Sequence, residues 1–233
     1  MKGTIKRERI TIDRASLAFG RASDTVALDM ALKVFINGNH FTTLTTSPFM
    51  LKELVVGHLI TEGFADSLSA IIDIKGEKAY VELPTSPVRE LPMVESDIKI
   101  EPRTIVEGVS KLSEMAEIFP STGGSHAAAL YNIKGELLVH AEDIGRHNAV
   151  DKVFSYALIK NCDLKRTFIA STARQSRSMV EKVARAGIPV IASRSAPINS
   201  GIVTAESTGI TLICFVRGDR LNIYAHPERV SPP

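Results

Sequence analysis

The chain predicts an α/β fold, with a layered α/β core preceded by a smaller N-terminal α+β part. Three observations carry this. From about residue 126 onward, short apolar runs alternate with segments at helical spacing, the mark of repeated β-α-β passages. Before residue 84, two hairpin-like pairs surround one helix-patterned segment. Between them, Pro84, Pro87, Pro92 and Pro102 punctuate a stretch with no sustained period. That stretch reads as a loop or linker over 84–102, separating parts at 1–83 and 103–233.

Each element has a local reason. Leu28, Met30, Leu32, Val34 and Ile36 alternate at period two, and Asn37-Gly38-Asn39 then makes a turn into the β-formers of 41–45. Ser47 and Pro48 predict a helix start, as N-cap and first helical residue. Leu51, Leu54, Val55, His58 and Leu59 share one face of that helix, and Gly63 ends it. Strands are expected at 71–74 and 79–83. A helix over 103–118 buries Val106, Val109, Leu112 and Met115. A hairpin at 127–133 and 136–140 turns at Lys134-Gly135. Helices are expected at 148–159, 176–186 and 202–207, alternating with strands at 167–171, 189–192, 211–216 and 221–225.

Composition excludes several classes. Of 233 residues, 44% are hydrophobic and 23% charged, ordinary globular usage that can bury a core without disulfides or a structural metal. A net charge of +2 is too small for a general nucleic-acid binder. Lys2, Lys6, Arg7 and Arg9 form a basic run read as a solvated arm. No apolar secretory segment follows it, and no run of 18 apolar residues occurs, so neither secretion nor a membrane span is expected. The simplest compartment is the cytoplasm. The only two cysteines, Cys162 and Cys214, lie far apart and form neither a disulfide framework nor a four-thiolate zinc site. No His-x-Glu with Pro-Cys-x-x-Cys supports a zinc deaminase, and no Gly-x-Ser-x-Gly supports a serine hydrolase.

In α/β sheets, ligands settle where strands end and the next helix opens. The loop 119–126 brings Gly123 and Gly124, whose backbone N–H groups can approach a ligand, beside Thr122, Ser125 and His126. The same residues also describe a plain turn with a capping histidine. Next, Asp143 to Asn148 sits at a helix start, where an anion is favoured, and Arg146, His147 and Lys152 add donors or charge. Asp143 there is either an acceptor for a base or ribose, or a helix cap paired with Arg146. Residues 171–177 repeat the arrangement with Arg174 and Arg177, and Arg194 follows the next strand. One cationic, hydroxyl-rich mouth suits a phosphorylated, nucleotide-bearing ligand. By composition alone, Phe215, Val216, Arg217, Gly218, Asp219 and Arg220 make a hairpin turn with charged flanks.

Taken together, these segments resemble the formate dehydrogenase accessory protein family, the FdhD-type sulfurtransferases. The resemblance runs through 57–63 (GHLITEG), 122–129 (TGGSHAAA), 142–152 (EDIGRHNAVDK), 178–182 (SMVEK), 187–190 (GIPV), 193–197 (SRSAP), 211–220 (TLICFVRGDR) and 222–227 (NIYAHP). It implies a cytidine-deaminase-like layered fold without zinc, acting as a homodimer. It also implies binding of a molybdenum or tungsten bis(molybdopterin guanine dinucleotide) cofactor, with 215–220 among the binding residues. Sulfur would pass from a cysteine desulfurase to that cofactor, activating a formate dehydrogenase-type apoenzyme. The family's sulfur carrier is a Cys-x-x-Cys loop, and the matching stretch 83–92 holds no cysteine. A persulfide needs a thiolate, which Ser and Thr do not supply. Binding and delivery without transfer is the expectation. The alternative is a nucleotide-acting enzyme on the same scaffold, with His126 or His147 as general base.

Overall fold

The computed structural model describes residues 3–65, 71–83 and 90–232. It begins with a hairpin, β1 (Thr4–Ile12) and β2 (Phe19–Ala27), which pair only with each other. Of the basic run expected as a solvated arm, Lys2 lies outside the described residues, while Lys6, Arg7 and Arg9 are exposed as expected but sit in a strand, facing Thr25, Asp24 and Ala22 across the pair. Flanking Ile5, Ile10 and Ile12 supply the β-propensity that a count of charges hides. Ile10, Ile12, Leu17 and Phe19 leave its far end apolar and exposed.

Strands β3 (Met30–Ile36) and β4 (Asn39–Thr46) form the expected hairpin, and Asn37 and Gly38 both take positive φ at its turn. Helix α1 (Leu51–Thr61) follows, and then β5 (Ile71–Lys75) and β6 (Lys78–Glu82). The four strands make a sheet ordered β4-β3-β6-β5. The helix starts three residues later than Pro48 predicts. Ser47 does not cap it, because its backbone N–H and its hydroxyl are engaged with the end of a distant strand.

The core is a six-stranded sheet. Its elements are α2 (Pro102–Met115), α3 (Phe119–Thr122), β7 (His126–Asn132), β8 (Leu137–Asp143), α4 (Arg146–Ile159), β9 (Thr167–Ser171), α5 (Arg177–Arg185), β10 (Val190–Ser193), α6 (Asn199–Thr208), β11 (Thr211–Arg217) and β12 (Arg220–Ala225). The strand order is β12-β11-β10-β9-β7-β8, with β9, β10 and β11 parallel and the outer pairs antiparallel. Both faces are covered, so β9 and β10 are buried throughout. On one face α2 packs Ile105, Val109 and Leu112 against Tyr131 and Phe168. On the other, α4 and α5 pack Val150, Val153, Phe154, Met179, Val180 and Val183. Each such buried side chain contributes about 1.5–3 kcal/mol relative to exposure. The layered α/β core and smaller α+β part expected from the sequence are the architecture observed.

The two parts meet along α1. Leu54, Val55 and Leu59 face the small sheet, while Val56 and Ile60 join the core cluster. Gly57 lets α1 lie against α4, since a Cβ there would stand 2.0 Å from the Asp151 carbonyl oxygen. Of the expected loop or linker, the described part ahead of α2 carries no helix or strand, as a loop does, but it is not a free linker. Residues 84–89 lie outside the described residues, but 90–101 is bound into the core. Val94, Ile98 and Ile100 are buried, and the Arg229 guanidinium donates to the carbonyls of Val94, Ser96 and Gly209. Among the described residues, no helix is long and apolar enough to cross a membrane.

Candidate functional site

A cleft of about 580 Å³ opens at the ends of β7 and β9. Phe119, Gly123, Gly124 and Ser125 line one side, and Arg194, Ser195 and Arg217 line the other, with His126 and Thr172 between them. The chain builds each wall locally. After α2, a single helical turn at α3 closes on Gly123 at φ 64°, a conformation glycine adopts without strain. Gly124 donates its N–H to Thr122 Oγ1 at 3.0 Å, fixing the loop into β7. On the far wall, Phe215 takes φ 54° and interrupts the β11–β12 register between Cys214 and Arg217. Its N–H donates to the Ser195 carbonyl at 3.0 Å. That bulge turns Arg217 toward the strand end, where its Nε donates to the Arg194 carbonyl at 3.0 Å. Arg194 in turn donates to Ser113 Oγ.

The electrostatics are those of an anion site. Among the described residues neither Arg194 nor Arg217 has an ion-pair partner; both are held by neutral oxygens and stay exposed. Thr172 Oγ1 lies 3.3 Å from His126 Nδ1. Burial lowers the His126 pKa, the Arg146 charge lowers it further and Asp143 opposes them, so the imidazole is neutral near pH 7. The cleft thus offers guanidinium groups, hydroxyls and a neutral imidazole, with no carboxylate among the described residues of its lining.

Across the β7–β8 pair from His126, at Asp143, charged residues do different work. Asp143 is fully buried and accepts from Thr46 Oγ1 (2.6 Å), Ser47 N (3.2 Å), Gly145 N (2.7 Å), Asn148 Nδ2 (2.9 Å) and Lys152 Nζ (2.5 Å). Lys152 is fully buried, with its ammonium also 4.3 Å from the centre of the Phe49 ring. Burial lowers its pKa against the pull of Asp143. This knot ties the end of β4 to the start of α4. A second buried knot lies behind it, where Lys182 bonds Asp151 at 3.1 Å, Thr61 at 2.9 Å and Glu62 at 2.7 Å. Burial works against the Asp151 charge, but Lys182 and His58 outweigh it and hold the carboxyl below its usual pKa.

Of the residues expected to bind cofactor, the structure brings His126 and Arg217 into the cleft. Gly218, Asp219 and Arg220 form the exposed turn beyond Arg217, with Gly218 at φ 55°. Phe215 packs against the helix-side core, and Val216 is buried in the opposite cluster, so these two shape the wall through the backbone. Lys152 does not reach the cleft, because its charge is consumed by Asp143. Arg146 is exposed at the start of α4, and His147 bonds Ser178 Oγ at 3.0 Å away from the cleft. His147 is pushed down to about 4 by burial first, then by Arg146 and Lys182. Arg174 is exposed before α5, and Arg177 pairs with Glu181 at 2.7 Å on the surface. The mouth expected from the sequence is therefore present in part: the ends of β9 and β10 share one cleft through Thr172, Arg194 and Ser195, while Arg146, Arg174 and Arg177 lie off its lining. Sequence reasoning missed Ser113 and Phe119 as lining, and missed Glu142, whose carboxylate accepts from the N–H groups of Glu117, Ile118 and Phe119. The one available signal for Glu142 was an acid beside Asp143 at a strand end, facing a loop rich in N–H donors.

Comparison with known proteins bears on the family and the fold. The family model described as "FdhD/NarQ family" matches residues 27–91 and 75–231. A sulfur carrier protein FdhD of Methanothermobacter thermautotrophicus is 34% identical over 232 residues, covering 90% of this chain and 93% of that protein. One from Bacillus pumilus is 30% identical over 262 residues, covering 99% and 100%. A crystal structure of a putative formate dehydrogenase accessory protein from Desulfotalea psychrophila superposes with a TM-score of 0.86 at 26% identity, covering 98% of this chain and all of that one. With a family model spanning most of its length and relatives aligned nearly end to end, the chain belongs to the FdhD/NarQ family.

Proposed function

We propose that this protein is a cytoplasmic accessory factor in formate dehydrogenase maturation. In this reading it holds a molybdenum or tungsten bis(molybdopterin guanine dinucleotide) cofactor by its nucleotide ends and delivers it to the apoenzyme. The observation that carries this is the pair Arg194 and Arg217, held by neutral oxygens on one wall of a cleft that also presents His126 and Thr172. Guanidinium groups without carboxylate partners favour phosphate oxygens. The donor set fits a diphosphate, and the volume suits one nucleotide rather than a whole bis-cofactor. Two nucleotide ends call for two clefts, which a homodimer supplies. Once bound, the cofactor brings the metal centre that the client enzyme needs. This chain's residues grip its phosphates and exclude water from the nucleotide.

The curated relatives above are called sulfur carriers, and the relay version of the function needs a reactive thiol. Cys214 is fully buried, and burial pushes its pKa up to about 12, so it stays protonated. Cys162 is a single half-buried thiol with no second cysteine near it in sequence. Binding and delivery without a persulfide relay is the reading these residues support. Calorimetry with guanosine diphosphate tests the site, and Arg217→Ala is expected to weaken binding by about tenfold or more. Unchanged affinity removes Arg217 and its wall from the site. Turnover of the nucleotide in the same cell would favour an enzyme using His126 as base. Loading with a cysteine desulfurase and labelled cysteine tests the relay. Label that enters the chain and is lost in Cys162→Ala would restore sulfur transfer.

A further inference from the structure

We infer that Glu142 is the positioning residue of the cleft, holding the wall that receives the nucleoside independently of the wall that receives the phosphates. This inference rests on the nucleotide reading above. Glu142 is the penultimate residue of β8 and is 6% exposed. One oxygen accepts from the N–H groups of Glu117 (2.6 Å) and Ile118 (2.9 Å), and the other from Phe119 N (3.2 Å) and Ser125 Oγ (2.8 Å). A carboxylate has about four lone-pair sites, and here each of them has a donor. Among the described residues none of those donors is a cation. Glu142 therefore touches no ligand. Its charge is spent on drawing both ends of the 117–125 segment onto the end of β8.

The first anchor ends at Phe119 itself, and Gly123 and Gly124 lie between it and Ser125. Phe119 is half exposed on the cleft, where its ring offers a base a stacking surface. The opposite wall has its own supports in Ser195 and the Arg194 carbonyl, neither of which hydrogen-bonds Glu142, while Ser113, which holds the Arg194 guanidinium, sits on α2 ahead of the 117–125 segment. The walls are fastened separately, so they can be disturbed separately.

Glu142→Gln keeps the side chain's shape. Its carbonyl oxygen still accepts from Glu117 and Ile118, but its amide nitrogen faces the Phe119 N–H as a second donor. The anchor at Phe119 is then lost. Affinity for guanosine diphosphate is expected to fall by about tenfold, while affinity for inorganic pyrophosphate, which needs only the arginines, stays within about twofold. Hydrogen exchange over 117–125 should rise while that of β7 and β9 holds. Ser125→Ala removes one bond and should give the same pattern more weakly. Equal losses for both ligands, or unchanged exchange over 117–125, would overturn the inference. If the wild-type protein binds neither ligand, the nucleotide reading fails. The exchange data then still decide whether Glu142 holds this wall.

Discussion

Two polar regions of this molecule use similar residues to opposite ends. At the α1–α4 junction, Asp143 and Asp151 face Lys152 and Lys182 in full burial, and each charge has its partner. At the cleft, Arg194 and Arg217 hang from a hydroxyl and a carbonyl and remain open to solvent. The junction spends its charge on holding the small α+β part to the core. The cleft keeps its charge for a ligand. A basic residue near a strand end is therefore not a site by itself; what decides is whether a carboxylate reaches it first.

The largest expected effect comes from breaking the junction. Asp143→Ala leaves the Lys152 ammonium buried without its carboxylate, a loss of about 3–5 kcal/mol. By contrast, Arg217→Ala at the open cleft should change stability by no more than about 0.5 kcal/mol. Urea unfolding of both variants checks the pair, and a mild Asp143→Ala would mean that the two regions are not so different. A smaller effect concerns His147. Its pKa is about 4 in the fold and near the ordinary 6.5 when unfolded. The unfolded chain therefore binds the extra proton in between. The neutral His147 contributes stability that is complete above about pH 6.5 and is lost as pH falls toward 4. His147→Asn should flatten that acid limb by on the order of 1 kcal/mol, allowing for partial solvent access. A thermal-melting series across that range with an unchanged slope would show that His147 does not carry it. The smallest effect is expected at Arg177→Ala. The exposed Arg177–Glu181 pair is a solvated i,i+4 contact that contributes little to stability. Nucleotide affinity should not move, and a clear loss would return Arg177 to the site.

Much of the fold was legible before the coordinates. Period-two alternation at 28–36, the Asn37-Gly38 turn and the apolar stripes of α4 and α5 are local patterns, and local patterns survive folding. The misses have nonlocal causes. Ser47 has the composition of a helix cap, but Asp143, 96 residues away, takes its N–H. The 90–101 stretch has the punctuation of a linker, but Arg229 crosses from the chain's end to bind its carbonyls. The basic N-terminal run pairs as a strand with residues beyond its turn.

The sequence by itself determined the layered architecture and the places where strand ends meet helix starts, because periodicity and spacing encode these directly, and its motif residues carried the resemblance to the family. Only the tertiary structure decided which charges are free. The partner of Lys152 lies nine residues back across a helix start, and that of Lys182 lies on another helix. Coulomb pairing depends on distance in space, and distance along the chain does not reveal it.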